Sequence, residues 1–127
     1  MKSYVSLSLA LLAGTAFGAI AIEELQAQAK PPVYLIVENH VMNRAAYVKE
    51  FIPVINRGIK EHGGRTIARG KTTSFLGAPP DNAVVIQRWD SMDQLVRWQN
   101  SQQFKDAIKI GQKYAKFRTF AVPGIAK

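Results

Sequence analysis

Glu38, His40 and Arg69 are the side chains of this 127-residue chain whose types and spacing suit chemistry. In Val33-Tyr34-Leu35-Ile36-Val37-Glu38-Asn39-His40, strand alternation puts Tyr34, Ile36, Glu38 and His40 on one face. Val33, Leu35, Val37 and Asn39 take the other. On neighbouring strands, Glu38 and Arg69 can orient a polar or carboxylate ligand between sheet and helices. The same charges can instead form an ion pair that only satisfies itself at the core edge. His40 can act as a general base near neutral pH, or stand solvated at a strand end. Tyr34, Trp89 and Trp98, together with Tyr114, can line a mostly apolar ligand pocket or simply fill the core. The catalytic candidates are therefore Glu38, His40 and Arg69, and the ligand-binding candidates Tyr34, Glu38, Arg69, Trp89 and Trp98.

Other chemistries lack their residues. The chain has no cysteine, so it has no thiol nucleophile and no disulfide. It contains no Gly-x-Ser-x-Gly elbow and no glycine-rich phosphate loop. His40 and His62 lie too far apart for a metal-binding spacing, and the reading calls for no metal and no cofactor. The net charge of +8 favours anionic partners, whether small acids, lipid headgroups or acidic proteins, or simply gives a solvated basic surface. The basic residues form no tract and accompany no nucleic-acid motif, so nucleic acid is not expected as a partner.

The elements that must position these groups follow from pattern. Val33–His40 is a β-branched strand. Asn43 is placed to cap a helix to about Glu61, with Val48, Phe51, Ile52, Ile55 and Ile59 as its apolar stripe. Pro53 should kink that helix, because it has no N–H to donate to the carbonyl four residues back. Gly63-Gly64 stops it, and His62 falls in its last turn, where the helix dipole favours a partly cationic ring. Arg65 to about Phe75 reads as a second strand in which Arg65, Ile67 and Arg69 share a face. After the turn Gly77-Ala78-Pro79-Pro80-Asp81-Asn82, Ala83 to Asp90 is a third strand, antiparallel to the second because no crossover fits between them. Ser91 with Gln94 forms a capping-box pattern, and Ser101 restarts a helix through Phe104, Ala107, Ile108 and Gly111. Lys116 to Val122 is the last strand. The order β-α-β-β-α-β is that of an α+β, ferredoxin-like sandwich with helices on one sheet face. Its other face, carrying Val33, Leu35 and Val37 or their opposites, is left uncovered and open for pairing.

Residues 1–29 read as a cleavable secretory signal peptide. Lys2 precedes an apolar run from Val5 to Ile22, and Ala27-Gln28-Ala29 offers a cleavage site. The alternative is a retained anchor, although the run is short and diluted for a membrane span. Cleavage leaves residues 30–127 as a single domain of 98 residues with net charge +9, since Lys2, Glu23 and Glu24 depart. That product is periplasmic or secreted and has no stable membrane insertion. A domain so small, without disulfides, gains from association.

Several stretches together resemble the bacterial family known as domain of unknown function 1330, in the dimeric α/β-barrel superfamily. They are Tyr34-Leu35-Ile36-Val37-Glu38, the proline within the first helix, Gly63-Gly64-Arg65, Arg69-Gly70, and Val84-Val85-Ile86 leading to Trp89, Ser91 and Met92. Trp98, Ser101 and Phe104 complete the set. The family's acid after the first strand is replaced here by Asn43-Arg44, and its serine-proline-glutamate-tyrosine stretch by Ser101-Gln102-Gln103-Phe104. The resemblance implies the ferredoxin-like fold and a homodimer forming a dimeric α/β barrel, but no settled reaction. The function expected is the binding of a small apolar or anionic molecule, or a stress-associated role. The alternative is a cofactor-independent monooxygenase or isomerase-like enzyme acting on a small aromatic or anionic substrate.

Overall fold

The computed structural model describes residues 30–125, and Pro32–Ile125 form one compact unit. The leader and its cleavage site lie outside the described residues. Among those described, no helix is long and apolar enough to cross a membrane.

Strand β1, Val33–Val41, lies at the centre of a four-stranded antiparallel sheet. The others are β2 (Arg65–Gly70), β3 (Ala83–Trp89) and β4 (Ala115–Pro123), in the order β2-β3-β1-β4. Val33, Leu35 and Val37 are buried, and with Trp89 they meet Ile59, Leu95 and Trp98 from the helices. This is the alternation expected of a strand with one covered face. The opposite face carries Tyr34, Ile36, Val84 and Ile86, all half-buried, with Phe120 and Val122 more exposed.

Helix α1 runs in three segments: Arg44–Ala46, a π-helical turn at Tyr47–Phe51, and Ile52–Glu61. Asn43 caps it, its Oδ1 accepting from the Ala46 N–H at 3.2 Å. A π turn lies just ahead of Pro53, after which the helix continues to Glu61. A π turn holds one residue more than an α turn, so the inward positions before it slip back by one. Tyr47 is thereby buried beside Phe51, and Val48, expected in the stripe, is 48% exposed. The helix closes at Gly63 (φ 91°), where the Gly63 N–H reaches Lys60 O and the Gly64 N–H reaches Ile59 O. These two bonds are the paired closing contacts of a glycine-terminated helix.

Strand β2 ends at Gly70 (φ 143°), short of Phe75, and residues 71–82 form a loop with Phe75 and Leu76 at its exposed tip. Ser91 Oγ accepts from the Gln94 N–H, while the Gln94 side chain accepts from the Asp90 N–H, starting helix α2 (Met92–Asn100). Ser101 Oγ likewise accepts from the Phe104 N–H at the head of α3 (Gln102–Gln112). Both serines satisfy donors that a helix start leaves free.

Candidate functional site

Between the inner sheet face and the helices lies a half-open cleft of about 90 Å³. Its walls are mostly apolar: Leu35, Val37 and Val85 from the sheet, Ile55 from α1, and Ile108 from α3. Trp98, Phe51, Phe104 and Phe117 add aromatic surface. The π turn builds one end of it. Tyr47, Phe51 and Phe117 pack with ring centroids 5.2–6.4 Å apart, within the range where tilted rings attract.

Polar side chains are the minority of the lining, and Arg69 is the one that carries a charge. Asn39 Nδ2 donates to the Tyr47 hydroxyl at 2.8 Å, while Asn39 Oδ1 is buried with no partner. Burial pushes the Tyr47 phenol above its ordinary value of 10.0, against smaller opposing effects of the Asn39 bond and Arg44. Arg69 and Thr66 stand on the β2 side of the cleft. No Asp, Glu, His or Lys is among the residues that line it.

The raised Tyr47 value has a consequence at high pH. The unfolded phenol ionises from about pH 10 while the folded one stays neutral, so stability falls as pH rises through the raised value. Tyr47→Phe should flatten the dependence of the urea midpoint on pH above about 10, with a lower midpoint throughout because Asn39 Nδ2 loses its acceptor. An alkaline limb as steep as that of wild type would exclude Tyr47 as its source.

The sequence candidates divide between two faces. Arg69 and Trp98 line the cleft. Trp89 is fully buried behind it, its ring 6.1 Å from that of Trp98 and its Nε1 donating to Gln87 Oε1 at 3.0 Å. Tyr34, Glu38 and His40 lie on the opposite sheet face. The expected meeting of Glu38 with Arg69 does not occur. Glu38 stands directly across from Arg118 on β4, with a 3.7 Å ion pair, because even-numbered residues of β1 point away from the helices. His40 Nδ1 lies 2.8 Å from Asn82 Oδ1 in an exposed contact. Glu38, Arg118 and the loop Ala78–Asn82 border a separate, polar crevice. His62 Nδ1–H donates to Gly58 O at the end of α1 and its ring packs on Trp98, a structural arrangement.

Arg69 reaches the cleft by an irregularity. Thr66 pairs with Gln87 and Arg69 with Val85, both on the inner face, because the register shifts between Thr66 and Ala68. Regular alternation would have kept Arg69 on the face of Arg65, as the sequence pattern reads. The bulge turns it inward. Asn39 and Tyr47 were not among the sequence candidates. A polar residue on the otherwise apolar inner face of β1 is the signal that identifies Asn39; Tyr47 depends on the π turn and carries no such mark.

Residues 32–125 match the model of a family described as Domain of unknown function (DUF1330). No curated protein matches the chain. Among solved structures, a protein of unknown function from Rhodopseudomonas palustris is 19% identical, with a TM-score of 0.54 covering 79% of this chain and 89% of that one. SnoaB, a cofactor-independent oxygenase from Streptomyces nogalater, is 14% identical at a TM-score of 0.56, over 74% and 93% of the two chains. A protein provisionally described as an antibiotic biosynthesis monooxygenase, from Caulobacter crescentus, is 15% identical at 0.55, over 75% and 91%. At these identities the likeness is one of fold: α+β, similar to the ferredoxin-like folds of that monooxygenase type.

Proposed function

The chain belongs to the DUF1330 family, and from that premise we propose that it binds a small, largely apolar molecule in the cleft between sheet and helices. One observation carries this reading. More than half of the residues lining the cleft are apolar or aromatic, the polar ones are neutral apart from Arg69, and there is no carboxylate or imidazole, a makeup suited to holding a molecule. The candidate acid and base, Glu38 and His40, face the other side of the sheet.

A second reading is turnover of the bound molecule with oxygen and no cofactor. It is favoured by the fold shared with SnoaB, a cofactor-independent oxygenase. With no ordinary base lining the cleft, it ranks below binding. Two further parts of the proposal concern assembly and place. The open sheet face, with Ile36, Ile86, Phe120 and Val122, supports a homodimer joined through its sheets. Lys2, the following apolar run and Ala27-Gln28-Ala29 support export of the cleaved chain.

Thermal denaturation with toluene tests the binding reading. A bound probe raises Tm by mass action, by about 2.7 kcal/mol of stability at a hundredfold excess over Kd. Thr119→Trp, at an exposed position on the cleft wall, should abolish the rise. No rise in the wild type with toluene or with a hydroxylated or carboxylated benzene ring, or an equal rise in Thr119→Trp, contradicts the reading. Oxygen uptake with an electron-rich phenol tests the second reading, and native mass spectrometry giving a monomer contradicts the dimer.

A further inference from the structure

We propose that the ligand of this cleft is an aromatic carboxylic acid with a hydroxyl group at the far end of its ring, the hydroxyl held by Asn39 and the carboxylate by Arg69. The proposal rests on the binding reading above and goes on to specify the ligand. Its first support is the Asn39 amide, of which one end meets the Tyr47 hydroxyl and the other, Oδ1, is buried and unpaired. Nearly all buried polar atoms in folded proteins have a partner, and leaving one dry is costly. If the amide is turned the other way, Tyr47 pairs with the oxygen and the nitrogen becomes the unpaired end. A hydroxyl satisfies either setting, because it both donates and accepts. A carbonyl or an ether serves only one.

The second support is independent. Arg69 is exposed at the cleft, placed there by the β2 bulge, and makes no ion pair among the described residues. A guanidinium in that setting is suited to a carboxylate, which it can hold through two parallel hydrogen bonds. Between the two groups on the sheet lie the aliphatic side chains of Val37 and Val85, and Trp98 and Phe117 add aromatic surface elsewhere on the cleft wall.

The spacing fits one substituted ring. Asn39 lies opposite Ala83 on β3; Arg69 pairs with Val85, which pairs with Val37 on β1. The two residues are therefore two strands apart sideways and two residues apart lengthwise, about 12 Å between Cα atoms at standard strand spacing and rise. The long arginine side chain shortens that gap to the length of a single hydroxyaryl acid. The net charge of +8 adds a general attraction for anions.

Isothermal titration with 4-hydroxybenzoate, benzoate, phenol and toluene tests the assignment. In the wild type, 4-hydroxybenzoate should bind best, with benzoate and phenol each weaker by about fivefold to tenfold. Asn39→Leu should remove the preference for 4-hydroxybenzoate over benzoate, and Arg69→Gln the preference over phenol. Arg69→Gln is an exposed change that leaves the core intact, so it reads out even if Asn39→Leu fails to fold. Equal binding of benzoate and 4-hydroxybenzoate by the wild type, or a hydroxyl preference that survives Asn39→Leu, overturns the role of Asn39. Toluene binding as well as the acids, or a carboxylate preference that survives Arg69→Gln, overturns the role of Arg69. In these cases the binding reading stands. Failure of all four compounds to bind overturns both.

Discussion

Replacing Trp98 by alanine should lower stability by about 3–5 kcal/mol, the usual cost of removing a large aromatic side chain from a core. Trp98 is 1% exposed and joins three parts of the fold. Its ring meets Trp89 on β3 at 6.1 Å, Phe104 on α3 at 5.3 Å and His62 at the end of α1 at 4.8 Å. The neighbours cannot close over the space, because Trp89 is fixed by its bond to Gln87 and Phe104 by the capped start of α3. A small domain holds only about 5–15 kcal/mol in all, so the variant should lose roughly a fifth of its stability or more. Urea denaturation followed by circular dichroism measures this directly. A loss below about 1 kcal/mol would show that Trp98 is not packed as described. Trp98 also forms part of the cleft wall, so a folded variant should have a larger cleft and accept bulkier aromatic probes.

Gly64→Ala should cost about 1–3 kcal/mol, the usual effect of overfilling a packed core. A Cβ at this position would run into the six-membered ring of the Trp89 indole. Trp89 has no exposed surface, stacks on Trp98 and is held through Nε1, so it has nowhere to move. The backbone at Gly64 is not in the left-handed region, and steric overlap alone accounts for the loss. Its neighbour Gly63, at φ 91°, combines both penalties. If Gly64→Ala denatures at the wild-type urea concentration, the close approach of α1's end to β3 is wrong.

Much of the fold was legible because its signals are local. Asn43, Ser91 and Ser101 each cap the helix that their position predicts, and Gly63-Gly64 ends α1. Alternation in Val33–Val37 separated the two faces of β1 but, with both apolar there, did not say which the helices cover; the buried set is Val33, Leu35 and Val37. The candidate site was less legible, because its geometry depends on two single-residue irregularities. The bulge between Thr66 and Ala68 turns Arg69 to the cleft, and the π turn buries Tyr47 in the place expected for Val48. A one-residue slip in a strand reverses which face every later side chain occupies, and no composition rule marks where such a slip occurs. The pairing of Glu38 with Arg118 joins residues far apart in the chain. It depends on the β1–β4 register, which the pattern of either strand alone does not contain.

The most direct test of the central claim is a crystal structure of the protein with 4-hydroxybenzoate. The ring should lie in the cleft over Val37 and Val85, its hydroxyl within about 3.2 Å of the Asn39 amide and its carboxylate on Arg69. A ligand seated instead in the polar crevice beside Glu38 and Arg118, with the cleft empty, would contradict the account and return the site to the opposite face of the sheet.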